Sequence, residues 1–250
     1  MKNKKRILLK LITILMAVVF VVALGNILAK LYEYEKSKQN YEQLKQEHVQ
    51  VVEPPAEEEE PREAAPIAVD FEKLLKENQD IVGWIYCEGT IINYPVVQAA
   101  DNDYYLRRGL DGKYDVCGTV FMDYRCDANL THRNTIIYGH NMRNHTMFSV
   151  LEQYKKQSFY EDHPVLWYLT PHGDYKIELF AGYVAPADAR IYSVFDSYEK
   201  MVEQSKRAIE KSTFQSPIDP EKAEQIITLS TCSYEYDDAR YILLGTLKEI

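Results

Sequence analysis

The chain has 250 residues, of which 29 are basic and 38 acidic, with 20 tyrosines and four cysteines. The six charged residues among the first thirty are all basic (Lys2, Lys4, Lys5, Arg6, Lys10 and Lys30), which leaves 23 basic against 38 acidic side chains in the rest. A body that acidic argues against nucleic-acid binding, which relies on basic surface to neutralise phosphates, and four cysteines in a chain this long do not read as a disulfide framework.

Leu11–Ala29 carries no charge and lies between Lys10 and Lys30. As a helix it would be about 28 Å long, enough for the hydrocarbon core of a bilayer. The basic residues 1–10 should then stay in the cytoplasm and the remainder be exported. A cleaved signal peptide is the competing reading, with Ala23-Leu-Gly25 as a small-residue site. The apolar run continues beyond that site to Ala29, which favours an uncleaved single-pass anchor over residues 11–29. Leu31–Val52 is polar, with sparse apolar points at Leu31, Tyr34, Tyr41, Leu44 and Val51, and is expected as a solvated juxtamembrane helix. Glu53–Pro66 combines like charges that repel with prolines that stiffen, the signature of a linker. Residues 30–66 are thus expected as a stalk, and a chain beginning near Ile67 is expected to act like the full ectodomain.

The folded unit is expected over residues 67–250. Asp70 caps a helix through Asn78 with Phe71, Leu74 and Leu75 on one face. Short strands are predicted around Ile81–Tyr86, Ile91–Val97, Gly118–Asp123, Thr135–Tyr138, Val165–Leu169 and Tyr175–Tyr183. Helical spacing recurs in Thr146–Tyr154 and in Ser197–Thr213. Many short strands with few helices argue for a mostly β fold, a closed β-barrel with helical decorations. If Gly118–Asp123 is extended, Cys117 and Cys126 lie on the order of 25–30 Å apart, too far to bridge. A Cys87–Cys117 pairing stays open.

The chemistry concentrates at the C-terminal end. In Ile226–Cys232, Thr228, Ser230 and Cys232 share one strand face, while Ile227 and Leu229 point the other way. Seven residues rich in Asp, Glu and Tyr follow, and a second strand begins at Arg240. Such a hairpin sets a thiol beside a permanent cation, which favours the nucleophilic thiolate.

Thr228-Leu-Ser-Thr-Cys232 followed by Arg240 resembles the active-site signature of the sortases, cysteine transpeptidases of Gram-positive cell envelopes, and Tyr138-Gly-His-Asn141 stands where that family keeps its histidine. Gly83-Trp-Ile85, Tyr94-Pro-Val-Val-Gln98, Asp101–Leu106 and Thr119–Tyr124 are similar to class B members, as is a helix inserted before the catalytic strand. The resemblance implies the sortase barrel, with Cys232 as nucleophile, His140 as general acid and base, and Arg240 as a donor to substrate carbonyl or oxyanion. Asn102, Asn141, Ser230 and Thr231 are supporting candidates for substrate binding. It further implies secreted partners with a C-terminal sorting signal of the Asn-Pro-x-Thr type, cleaved after threonine through a thioester. The acceptor would be an amine of a peptidoglycan precursor or of a pilin. No histidine and carboxylate spacing resembles a metal site, so neither metal nor cofactor is expected. Another extracytoplasmic cysteine peptidase, or a non-catalytic bitopic scaffold, remains the alternative on sequence grounds.

These readings make a topological prediction. Protease added to intact, wall-stripped cells should digest the body and leave the N-terminus protected in the membrane. Recovery of a mature chain starting at Asn26 would establish cleavage instead.

Overall fold

The computed structural model describes residues 2–52, 63–195 and 197–250. Most of the expected linker, residues 53–62, lies outside the described residues. A single helix, α1 (Lys2–His48), runs through the apolar segment and on into the polar one without a break at Ala23–Gly25. Its apolar side chains between Ile7 and Leu31 are exposed. Among the described residues it is the one helix long and apolar enough to cross a membrane.

The end of α1 is not solvated as the sequence reading expects. Ser37, Tyr41 and His48 are buried. The Tyr41 hydroxyl donates to the Gly118 carbonyl at 2.7 Å, and His48 Nε2 pairs with Glu77 at 2.8 Å. Strand β1 (Val49–Val51) then pairs antiparallel with β2 (Ile67–Val69), and the Asp70 amide donates to the His48 carbonyl. The two ends of the linker segment are therefore tied together. Alternation alone could not announce this pairing, because each strand has only three residues.

Helix α2 (Phe71–Glu77) starts as expected, with the Lys73 amide donating to the Asp70 side chain at 3.1 Å and Leu74 fully buried. Eight strands follow: β3 (Ile81–Tyr86), β4 (Asn93–Val97), β5 (Val120–Met122), β6 (Asn134–Tyr138), β7 (Val165–Thr170), β8 (Gly173–Pro186), β9 (Ile226–Cys232) and β10 (Ala239–Glu249). They close into a barrel in the order β10-β8-β7-β3-β4-β5-β6-β9. The β4–β5 and β6–β9 pairs are parallel and the rest antiparallel. Closure leaves no free sheet edge. Trp84, Tyr168, Phe180 and Tyr241 are buried among Ile, Leu and Val from every strand.

Short helices fill the connections between strands, and three of them bear on the sequence expectations. The helical spacing predicted at Thr146–Tyr154 is a 3-10 helix at Phe148–Lys155, because Met147, with φ of 56°, breaks any turn that would begin earlier. Helix α3 (Gln157–Asp162) was not foreseen, being too short to carry a periodic signal. Helix α4 (Tyr198–Lys211) lies within the predicted Ser197–Thr213, capped by Ser197. Of its apolar side chains Met201 and Ala208 are buried, whereas Tyr198 and Ile209 are exposed. All four cysteines are free, so the Cys87–Cys117 pairing left open by the sequence does not form. Cys87 contacts Tyr154 and the Val165 carbonyl, while Cys117 faces Thr146.

The docked end of α1 changes what truncation should do. Burying Tyr41 contributes roughly 2–3 kcal/mol and its hydrogen bond about 1 kcal/mol. At this chain length that corresponds to roughly 6–16 °C in melting temperature. A chain beginning at Ile67 should melt lower by about that margin than one beginning at Lys30, measured by calorimetry. Equal melting temperatures would show that the helix end adds nothing.

Candidate active site

Strands β6 and β9 run parallel in one constant register, from Asn134↔Ile226 to Tyr138↔Ser230. Two residues beyond the last pair stand His140 on one chain and Cys232 on the other. Three hydrogen bonds carry the alignment into the loop. The Gly139 amide donates to the Ser230 carbonyl at 3.1 Å, Thr231 Oγ1 donates to the Gly139 carbonyl at 2.8 Å, and Asn141 Nδ2 donates to the Cys232 carbonyl at 2.8 Å. Gly139 has no alternative, since a Cβ there would sit 2.6 Å from the Phe148 ring.

On its other side β9 pairs with β10, and the residue directly opposite Cys232 is Arg240. The next pair outward carries a backbone bond, from the Ser233 amide to the Ala239 carbonyl at 2.9 Å. Cys232 and Arg240 are thus a non-hydrogen-bonded pair, the type in which facing side chains come closest. The register therefore places Cys232 between the histidine-bearing loop and Arg240.

His140 is half-buried, and its Nε2 lies 2.8 Å from the Leu106 carbonyl. A carbonyl only accepts, so Nε2 carries the proton and Nδ1 of the neutral ring is left to accept one. Burial pulls the ring's pKa below its ordinary value; the Leu106 bond opposes this and the nearby Arg107 charge adds to it. Arg240 donates to the Ala239 carbonyl at 2.9 Å. Among the described residues no carboxylate lies within 4 Å of it, so the structural ion pair with Asp237 or Asp238 that a surface arginine would make is not formed. Cys232 is partly exposed, while Cys87, Cys117 and Cys126 are buried and burial pushes their thiols up, Cys126 to about 11.

The four supporting candidates turn out to have internal partners. Ser230 Oγ bonds the Tyr192 hydroxyl at 2.7 Å, and Thr231 is committed to Gly139. Asn141 ties the histidine loop to the end of β9. Asn102 Nδ2 donates to Asp123 and its Oδ1 accepts from the Tyr124 amide, which fixes the turn after β5. On the polar face of β9, Thr228 and Ser230 are thus both engaged by the fold's own hydrogen bonds.

Three participants escaped the sequence reading. Tyr192, in the connection between β8 and α4, is buried within electrostatic reach of both Cys232 and Arg240, and burial first of all pushes its hydroxyl up to about 12. The Leu106 carbonyl is backbone and has no residue signature. Lys155 bonds Glu152 at 2.8 Å and also pairs with Glu235 of the loop after Cys232, while Ser233 bonds both carboxylates. Among the described residues the one cluster of metal-ligating side chains, Glu47, His48 and Glu77, sits where α1 meets α2 and includes no residue of this site.

A closed barrel with a cysteine at a strand end, flanked by a histidine loop and an arginine, defines a class of cysteine acyl-transfer enzyme. The family model for the sortase domain matches residues 85–248. Sortase B of Staphylococcus aureus is 34% identical over 234 residues, 92% of this chain and 91% of the relative, and that of Listeria monocytogenes is 34% identical over 181 residues, covering 71% of this chain and 74% of the relative. A solved Bacillus anthracis sortase B superposes with a TM-score of 0.73 at 32% identity, covering 88% of this chain and all of that one. An S. aureus sortase B–substrate complex gives 0.72 at 31%, covering 88% and 99%. The chain belongs to the sortase family of cysteine transpeptidases, in its class B.

The burial pattern makes a direct prediction. A thiol reagent such as dithionitrobenzoate should titrate one cysteine in the native chain and four after denaturation. The native count should fall to zero in Cys232→Ala. Two or more fast native thiols would overturn the assignment of Cys87, Cys117 and Cys126 as inert.

Proposed function

We propose that this chain cleaves a C-terminal sorting signal of secreted proteins after a threonine and transfers them to an amine of the cell-wall precursor or of a pilin. The observation that carries the reading is the register that sets Cys232 between His140 and Arg240. Residues 1–10 would lie in the cytoplasm, residues 11–29 in the membrane and the catalytic residues 67–250 outside.

The chemistry follows from the groups present. Cys232 sulfur attacks the threonine carbonyl carbon, and the oxyanion that forms accepts hydrogen bonds from the planar fork of Arg240. His140 Nδ1 takes the thiol proton and returns it to the departing amine as the carbon–nitrogen bond breaks, which leaves a thioester. An acceptor amine then attacks that thioester, His140 takes the amine's proton, and the thiolate is released. One amide is exchanged for another, so the sequence of steps balances without oxidant, reductant or metal. A signal of the Asn-Pro-x-Thr type is the expected substrate, as the resemblance to class B sortases implies.

Substitution separates the roles. Cys232→Ala should abolish both acyl-enzyme formation and peptide cleavage. His140→Ala should leave a thiol that alkylates without turning over. Losing an oxyanion donor costs about 10²–10³ in turnover, whereas weakening an exposed charge pair costs on the order of 1 kcal/mol, under tenfold. Arg240→Lys should therefore lose at least about fiftyfold in turnover while Cys232 alkylates at near the wild-type rate. A lysine variant that keeps most of its turnover would rule out the paired-donor role.

A further inference from the structure

We propose that Tyr41, on the helix that bears the apolar N-terminal span, is a positioning residue for His140. The proposal rests on the reading of His140 as the acid and base. It is carried by two independent chains of contacts that begin at the one tyrosine and end at the one imidazole.

The first chain reaches the acceptor of the ring. The Tyr41 hydroxyl donates to the Gly118 carbonyl at 2.7 Å and lies 3.2 Å from Thr119 Oγ1. Gly118 has φ of 59° and is pressed against the preceding loop, where a Cβ would stand 2.5 Å from the Leu106 carbonyl oxygen and 2.6 Å from that of Tyr105. The Thr119 amide donates to the Tyr105 carbonyl at 3.1 Å, and Thr119 Oγ1 donates to the Arg108 carbonyl at 2.8 Å. Leu106 is thus held from both sides by the pair of residues that Tyr41 grips. Its carbonyl is the one that His140 Nε2 bonds.

The second chain reaches the backbone of the histidine loop. The Tyr41 ring meets Tyr94 edge-on, with centroids 5.5 Å apart. The Tyr94 hydroxyl accepts from the Met147 amide at 3.1 Å, Met147 is bridged to Asn141, and the Phe148 amide donates to the His140 carbonyl at 3.0 Å. One side chain on α1 therefore touches what holds the ring and what holds the backbone of the same residue.

Other side chains of α1 also meet the barrel, Tyr34 and Leu44 at the edge of its core. A cavity of about 440 Å³ runs beside the contact, between Ser37 and Lys45 of the helix and Asn144 and Met147 of the loop. Lys45 reaches over it to the Tyr94 ring at 5.1 Å. Among the described residues Tyr41 is the side chain of α1 that meets both Gly118 and Tyr94.

The test uses the full chain in detergent micelles and the variant Tyr41→Phe, which keeps the ring and its edge contact and removes only the donor. The readouts are the His140 ring tautomer by nitrogen NMR of labelled protein, kcat and KM on a fluorogenic Asn-Pro-x-Thr peptide, Cys232 alkylation, and melting temperature. Wild type should show Nε2–H alone. The variant should show a mixture of tautomers, with kcat down about tenfold, KM and alkylation within about twofold, and melting within a few degrees. An unchanged tautomer together with unchanged kcat would overturn the proposal, and so would a fall in kcat with the ring unaltered. A melting temperature more than about 10 °C lower would make Tyr41 a stability residue only and would also overturn it. Full turnover in His140→Ala would retire the catalytic reading separately, since the NMR readout would still tell whether Tyr41 holds the ring.

Discussion

The structure depends on one strand pairing. β6 and β9 are far apart in sequence yet lie parallel, and their pairing closes the barrel. Parallel neighbours need a crossover, and here the crossover contains β7, β8 and α4, so most of the C-terminal half is folded between the two halves of the site. Side chains alternate along a strand, and a slip of one residue would turn Cys232 to the opposite face together with every apolar residue of β9. Ile227 and Leu229, both fully buried, resist that slip. The packing of the barrel is what fixes Cys232 level with His140 and opposite Arg240.

Electrostatics then shapes what the pairing assembles. Burial disfavours the charged form of His140, and the hydrogen bond of its ring to the Leu106 carbonyl selects the tautomer that leaves Nδ1 open. Arg240 sits at the end of a loop containing Glu235, Asp237 and Asp238, any of which could have captured it. Lys155 draws Glu235 away and holds its carboxyl down at about 2, with Ser233 assisting. Arg240 is thereby left with a backbone carbonyl as its hydrogen-bond partner and no carboxylate among the described residues.

The N-terminal helix belongs to the same mechanical unit. A span of bare helix would let the catalytic unit tumble above a membrane, whereas pairing of β1 with β2 and burial of Tyr41 and His48 attach the barrel to the last turns of α1. Because Tyr41 bears on the segments around His140, the attachment and the active site share contacts.

Much of this was legible in the sequence. The apolar run at 11–29 declares a membrane-length helix because hydropathy is a local property. The Asp70 cap, the Ser197 cap and most barrel strands were readable because caps and alternation act over a few residues. Cys232, His140 and Arg240 stood out through motifs that resemble a known family, and their type and order needed no coordinates. What tertiary structure alone decided is of another kind. That Ser230, Thr231, Asn102 and Asn141 spend their polar atoms inside the protein depends on partners brought from distant strands and loops. That Tyr41 is buried although it lies in a polar helix depends on a barrel wall no nearer in sequence than Tyr94 and Gly118. The tautomer of His140 depends on a backbone carbonyl that any residue at position 106 would supply. Local signals determine which groups the chain carries, and the free energy of packing distant segments together determines which of those groups remain free to react.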